Sequence, residues 1–586
     1  MEERIYSILN SKKKTRIVIL LVIVAFIASV MMIPTKLVLA KMLPGKSANT
    51  FSIYVDTATD SSLAETKRVT DCVTQFLKRE KEVTDVEIYL AQGAPLDYAG
   101  LVKGSALKRF KNQAEMVVNL TDKHTRDEPS YMMVHRLRPK IQDVCEPMAR
   151  HTRIRFIEMP SGPPTLATIV IELYGKNDKK RRETAEKIAD ILKHTDGLVD
   201  IDIMQDDIYD YYQIVPEEEK VLRSGLSVEQ VNNILYLAFK GMIVAVKNSR
   251  TQQDQIPIFV RLNKEGRWIV PKSKFGLELK LSRLRLMNKM GMMIPVKEVV
   301  KIVKMPSNPT MYRKDLKDMT TITAECDLVS QVYPLLDARE KLLKRLSKDF
   351  NVTKEPGMST YMFDLHLQDR HDPKDKMLLR WDGEMKVSLD TFRDLGGAFI
   401  AALILMFLLM VVYYKSYALS GIVLLASFLS IIGVIFGHWI TDKIALVLSG
   451  TNFFLTATSL IGFISLMGIS ARSSLLLIDF SKSLIAKGIE KKRAIAISTA
   501  TRAKPILMTT VAIILGSLLL STDPIFGGLG IALIFGSMAS TAVSLFLVPV
   551  LINMTSAVCP TSDGEKPVDC KGGYDGPVDN VEEIAP

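Results

Sequence analysis

Six apolar stretches of roughly membrane-spanning length divide this chain unequally, one near the N-terminus and five after Gly396. Any fold must place them in lipid, because a hydrocarbon core of roughly 30 Å takes about 20 residues of apolar helix. Between them, residues 49–392 carry the mixed charge of a water-exposed domain. Hydrophobic residues make up 48% of the chain, an ordinary share for a globular protein. Their segregation, not their number, points to a membrane protein. The formal net charge of +12 has no basic stripe interleaved with aromatics beside it, so no nucleic acid partner is expected. An excess of Lys and Arg in cytoplasmic loops accounts for it better. The five cysteines, Cys72, Cys145, Cys326, Cys559 and Cys570, show neither CxxC nor zinc spacing.

Taken in order, residues 1–16 read as an amphipathic helix on the inner membrane surface, with Ile5, Ile8 and Leu9 on one face. Residues 17–38 form the first spanning helix, and the flank KKKTR places the N-terminus in the cytoplasm. A signal peptide is the competing reading, but the run is long and lacks a small-residue cleavage site. Residues 49–160 alternate strand and helix patterns as a split βαβ, or ferredoxin-like, unit. A second such unit occupies 165–204 and 320–367, interrupted by an insertion at 205–309. Helices follow at 398–413, 418–435, 453–480, 505–520 and 525–554, within a membrane block 396–554. His438 to Gly450 reads as a short outer connection. Ser481–Lys504 reads as an inner loop with seven basic residues against one acid, Glu490. The tail, 555–586, is polar and reads as disordered in the cytoplasm.

Arg472 is the residue that apolar helices do not explain. A cation inside a membrane helix costs from about 2.5 to over 10 kcal/mol depending on the reference. It falls in the inner half of the span 453–480, with Asp479 seven residues on along the same face. In the next span Arg502 and Thr509 are also seven apart, and Pro505 offers a helix start. Two readings stand: a proton or ion relay, or cations that snorkel to the headgroups. A relay needs a carboxylate at mid-depth, and the spans as drawn contain none; Asp479 sits near the inner edge.

Other features carry weaker signals. Gly433 with Gly437, and Gly536 with Ser540, have the four-residue spacing that lets helices approach. Met287, Met290, Met292 and Met293 cluster in LMNKMGMMIP. Soft thioethers suit Cu(I) or silver, but a hairpin turned by NKMG explains them as well, with no Cys or His nearby. Cys72 and Cys145 fall on the two helices of the first βαβ unit, leaving open whether they pair outside the cytoplasm. His438 is isolated at a span's edge, where an interface role outweighs metal binding. No catalytic triad, phosphate loop or resident cofactor motif is present, so an enzyme is not expected.

GISARSSLLLIDF (Gly468–Phe480), RAKPILMTT (Arg502–Thr510), KMLPGKS (Lys41–Ser47) and MPSGPPTLATIVIELYG (Met159–Gly175) together resemble resistance–nodulation–division (RND) efflux transporters of the AcrB/AcrD/AcrF type. The resemblance covers residues 17–551 and only that family's C-terminal half. It implies an α-helical membrane protein of 1+5 layout, with porter-like subdomains and a docking-like insertion. It implies export by proton antiport across the inner membrane, driven by the proton motive force without a cofactor. Arg472 matches the family's membrane cation, and Arg502 and Thr509 match two further relay positions. The family's paired aspartates belong to the half this sequence lacks. A separate N-terminal-half subunit, in a 3+3 hetero-oligomer, is therefore the implied partner. A periplasmic adaptor, an outer-membrane channel, membrane lipids and small amphiphilic substrates complete the set. The alternatives are a non-transporting scaffold of the same fold, or a metal or lipid exporter.

Overall fold

A helix break sets the geometry of the N-terminus. Backbone at Ser11 is extended, separating α1 (Glu2–Asn10) from α2 (Lys12–Met31). The basic residues of KKKTR therefore begin the apolar helix rather than end the amphipathic one. The first apolar helix stops at Met31, short of the expected Val38, in a run of turns. The computed structural model describes residues 1–558 apart from 160, 161, 163, 164, 252, 254, 329, 331 and 356–362. The tail read as disordered lies almost wholly outside the described residues.

A four-stranded sheet follows. It comprises β1 (Thr50–Asp56), α3 (Leu63–Leu77), β2 (Val83–Leu90), the short α4 (Tyr98–Lys103), β3 (Gln113–Leu120), α5 (Ser130–Cys145) and β4 (Arg153–Ile157). The strand order is β2-β3-β1-β4, antiparallel throughout. Ser62 and Glu65 form a capping box that starts α3. Val69, Val73 and Leu77 of α3, and Met133 and Leu137 of α5, then bury against Ile53, Val55, Met116 and Val118. Cys72 and Cys145 are joined by a disulfide linking α3 to the end of α5.

A second sheet opens with β5 (Ile169–Tyr174), α6 (Asp178–Lys193) and β6 (Leu198–Met204). The chain then leaves it to build a separate compact unit, Asp206–Thr310. That unit contains β7 (Asp210–Pro216), α7 (Glu218–Arg223), α8 (Val228–Leu235), β8 (Met242–Lys247), β9 (Ile256–Val260), α9 (Lys264–Arg267), α10 (Lys274–Arg283), β10 (Arg285–Met287), β11 (Met293–Pro295) and β12 (Val300–Pro306). Its own small core gathers Val221, Val231, Leu281, Val296 and Val299. The second sheet resumes with β13 (Tyr312–Lys314), β14 (Lys317–Cys326), α11 (Val332–Leu346), β15 (Phe350–Lys354), β16 (Leu365–Asp369) and β17 (Lys376–Asp382). The order is β13-β14-β5-β17-β16-β15, with β6 also on β14. The sheet thus extends beyond Leu367, because β17, which alternates Met377, Leu379 and Trp381 into the core, pairs with β5.

Membrane-type helices resume without a linker. Gly383 turns β17 straight into α12 (Glu384–Tyr414) at φ +84°. A Cβ there would stand 2.7 Å from the Ala167 carbonyl oxygen, so glycine is needed for both angle and space. The remaining helices are α13 (Tyr417–Phe428), α14 (Ile431–Ser449), α15 (Ala457–Ala486), α16 (Lys491–Leu518), α17 (Gly527–Ala542) and, after a π turn, α18 (Val548–Met554). Among the described residues six helical segments are long and apolar enough to cross a membrane, one before the sheets and five after.

Three expectations change here. α14 continues to Ser449, so His438–Gly450 is helix, not connection. Ser481–Lys504 is almost entirely helical, belonging to the end of α15 and the start of α16. Pro505 sits inside α16 rather than at its start. The paired small residues do mark a close approach: a Cβ on Gly433 would lie 2.2 Å from the Phe535 carbonyl oxygen of α17. α1 returns to this bundle, with Arg493 of α16 bridging Glu2 at 2.8 Å and Glu3 at 2.9 Å.

Candidate functional site

α15 has two chemically different faces. Gly462, Leu466, Ser470, Ser474, Leu477 and Ser481 are buried within the bundle. Ile461, Ser465, Gly468, Arg472 and Leu476 recur at spacings of three and four and are exposed, which places them in one stripe. Arg472 stands at the middle of this 30-residue helix. No ion pair joins it to any described residue. Asp479, one turn beyond Leu476, accepts a hydrogen bond from the Tyr413 hydroxyl of α12 at 3.0 Å.

The companion positions lie on α16. Arg502 stacks its guanidinium 4.9 Å from the ring centre of Phe480, the neighbour of Asp479. Thr509 is exposed and donates its hydroxyl to the Ile506 carbonyl at 2.8 Å. Thr510 and Thr541 join α16 to α17 by a 2.6 Å hydroxyl contact, and Ser474 meets Ser544 at 3.4 Å. Among the described residues no hydrogen bond or ion pair connects Arg472, Asp479, Arg502 and Thr509 to one another. The structure sets Arg502 against Phe480, the residue after Asp479, and leaves Arg472 apart.

Two polar residues expected in a connection lie instead on α14. His438 is fully buried, not at an edge: its Nδ1 is 2.8 Å from the Val434 carbonyl oxygen and its Nε2 2.8 Å from Ser459 Oγ. Asp442 is buried in the last turns of the same helix and accepts the Phe453 N–H at 2.9 Å. A carboxylate therefore does lie within a span, at its Ser449 end, engaged in closing the turn to α15. The signal was present in the apolar residues Ile440, Ile444, Leu446 and Val447, which continue the helix past both polar groups.

A second polar cluster lies where the two sheets meet, around a cavity of about 120 Å³. Arg138 of α5 donates to Asp327 at 2.7 Å and to Asp200 at 3.3 Å. Lys103 pairs with Glu325 of β14 at 2.7 Å, and Glu325 also accepts the Thr168 N–H at 3.1 Å. Burial pushes Glu158 up to about 7, against the lowering influence of Arg138, with Glu325 adding repulsion. Burial works on Glu325 in the same direction, yet Lys103 and Thr168 bring its carboxyl below the ordinary range. No motif announced this cluster, because its members are spread from Lys41 to Glu384.

Met287, Met290, Met292 and Met293 occupy the β10–β11 hairpin, with Met287 opposite Met293. Asn288, nearly buried, shapes the turn by accepting the N–H groups of Met290 and Met292 at 3.0 and 2.8 Å. All four methionines are more than half exposed. Among the described residues no group of three His, Cys, Asp or Glu side chains could hold a metal ion.

A sequence model of the AcrB/AcrD/AcrF family matches residues 2–360 and 373–555. The swarming motility protein SwrC of Bacillus subtilis (strain 168) is 22% identical over 543 residues, which are 91% of this chain and 45% of SwrC. Two crystal forms of a heavy metal efflux pump share the fold, with TM-scores of 0.68 and 0.67 at 18% identity. They match 94% of this chain and 51% of the pump. The chain thus spans about half the length of these relatives.

Proposed function

Given that the chain belongs to the AcrB/AcrD/AcrF family of efflux transporters, we propose that it works as the C-terminal half of a proton-driven pump for small amphiphiles. The observation that carries this reading is Arg472. It sits midway along α15, on an exposed stripe with the small residues Ser465 and Gly468 beside it. A cation left so in lipid would cost several kcal/mol. A facing helix that brings a carboxylate to it removes that cost. Small residues on the stripe let such a helix approach closely.

In this reading a separate N-terminal-half subunit supplies the proton-accepting aspartates, in a 3+3 assembly. Protonation of those aspartates releases Arg472, and deprotonation recaptures it. Arg502 and Thr509 serve at the inner end of the path, and Asp479 orients that end through Tyr413. α12 follows β17 after a single glycine, so displacement among the membrane helices is passed to the second sheet. The two sheets act as ferredoxin-like porter units, and 206–310 as a docking element for an adaptor and outer channel. The chain would then lie in the inner membrane with both termini in the cytoplasm and its sheets in the periplasm. The Cys72–Cys145 disulfide suits that oxidising compartment.

The test is Arg472→Ala and Arg472→Lys in the assembled pump. The alanine variant should assemble and fail to export; the lysine variant should retain export. Wild-type export by the alanine variant would defeat the relay. A second reading, metal as cargo, draws on the four exposed thioethers of one hairpin and on the heavy metal pump that shares the fold. Replacing all four methionines with leucine distinguishes it, since only a metal exporter should then lose transport.

A further inference from the structure

The unit Asp206–Thr310 holds a cavity of about 550 Å³ that none of the roles above uses. Its volume falls within the range of about 300–1,000 Å³ typical of small-molecule sites. β7 contributes Tyr212 and Ile214, two apart on the strand and hence on one face. The inner wall is apolar: Leu277 belongs to the unit's core, and Ile214, Phe239 and Ile269 pack against that core. Toward solvent stand two large rings, Tyr212 at 41% and Trp268 at 55% exposed. Aromatic surface beside an apolar wall is suited to an apolar ligand body.

The charged lining is of one sign. Arg267 and Lys272 border the cavity, and no acid is among its described lining residues. Arg267 donates its Nε to the Leu262 carbonyl at 2.9 Å, which holds the guanidinium in place. Neither cation is ion-paired with a described residue. Two unanswered positive charges beside three aromatic rings complement a ligand with a flat or short apolar body and one anionic head.

We propose that this cavity binds a small soluble amphiphilic anion, an aromatic or short acyl carboxylate or sulfonate. The rings of Tyr212, Phe239 and Trp268 enclose the apolar body. Arg267 and Lys272 face the head, where a charge-assisted hydrogen bond is stronger than a neutral one. The inference is independent of the transport reading, since it concerns ligand capture by this unit alone.

The experiment titrates the full purified chain, in neutral detergent, with naphthalene-1-sulfonate and with its uncharged analogue naphthalene-1-methanol, by calorimetry. The sulfonate should bind at one saturable site, more tightly than the alcohol. The double variant R267Q/K272Q should weaken sulfonate binding about 10-fold or more and change the alcohol by less than about 2-fold. Trp268→Ala should weaken both probes. The exposed single variant K272Q, which loses no internal bond, should shift the sulfonate in the same direction. Equal wild-type affinity for the two probes would overturn the proposal. So would sulfonate binding unchanged in W268A and in the double variant, which would mark detergent or another surface as the binder.

Discussion

Arg138 and Arg472 are two arginines in opposite circumstances. Arg138 is buried between the two sheets and is answered within the chain, by Asp327 at 2.7 Å and Asp200 at 3.3 Å. Arg472 lies at the centre of a helix of membrane-spanning length and is answered by no described residue. Removing an ion from water costs several kcal/mol wherever it happens. In the sheet domain the chain meets that cost itself, so the seam can fold as it stands. On α15 no described residue meets it, and in the proposed reading a facing helix does. Charge pairing complete within the chain serves architecture, and in the proposed reading the open charge of Arg472 marks a face for another element.

The contrast can be broken from either side. The largest effect should follow Arg472→Ala: export reduced to background, with the thermal midpoint of the purified chain unchanged. A drop in midpoint as large as that of a core mutation would show that Arg472 is structural after all. Arg138→Ala should do the reverse, destabilising the chain by about 3 kcal/mol because Asp200 is left buried without its cation, while Asp327 keeps His135. Denaturant titration of the detergent-solubilised chain measures it. Between these lies a change of shape alone. Gly433→Val drives a side chain into the Phe535 carbonyl and should cost about 1–3 kcal/mol, without altering the pH dependence of transport.

The same contrast explains what could be read from sequence. Local patterns were legible: the alternation of strand and helix over 49–160 and the run of apolar residues in α15. So was Arg472, since a cation among apolar residues stands out in one dimension. Helix ends were not. Ser481 and Ser498 both donate to the Leu477 carbonyl, at 2.8 and 2.9 Å. Polar residues that read as loop are thereby satisfied inside a bundle. Pro505 is carried within α16 even though it removes one backbone donor, because neighbouring helices hold both flanks. The seam was invisible for a different reason. Lys103, Arg138, Glu158 and Glu325 are far apart in sequence and meet only through the pairing of strands, so no spacing rule could have gathered them.

Within that seam, Glu158 is the group whose charge state should be easiest to move. It faces Arg138, Lys41, Glu325 and Asp327, and burial raises its carboxyl to about 7 from an ordinary 4.5. The folded chain therefore holds this proton more tightly than the unfolded chain does. The stability it contributes is fully present below pH 4.5 and is lost as pH rises through about 7. Glutamine keeps the shape of the protonated carboxyl and cannot ionise. Glu158→Gln should accordingly leave stability near pH 4.5 almost unchanged. It should raise stability at pH 8 by about 1–2 kcal/mol, short of the full linkage value because Glu158 is only half-buried. Thermal midpoints of both proteins across pH 4.5–8 provide the check. Curves that stay parallel over that range would mean Glu158 is ionised throughout, and that the seam is as fully paired at this residue as it is at Arg138.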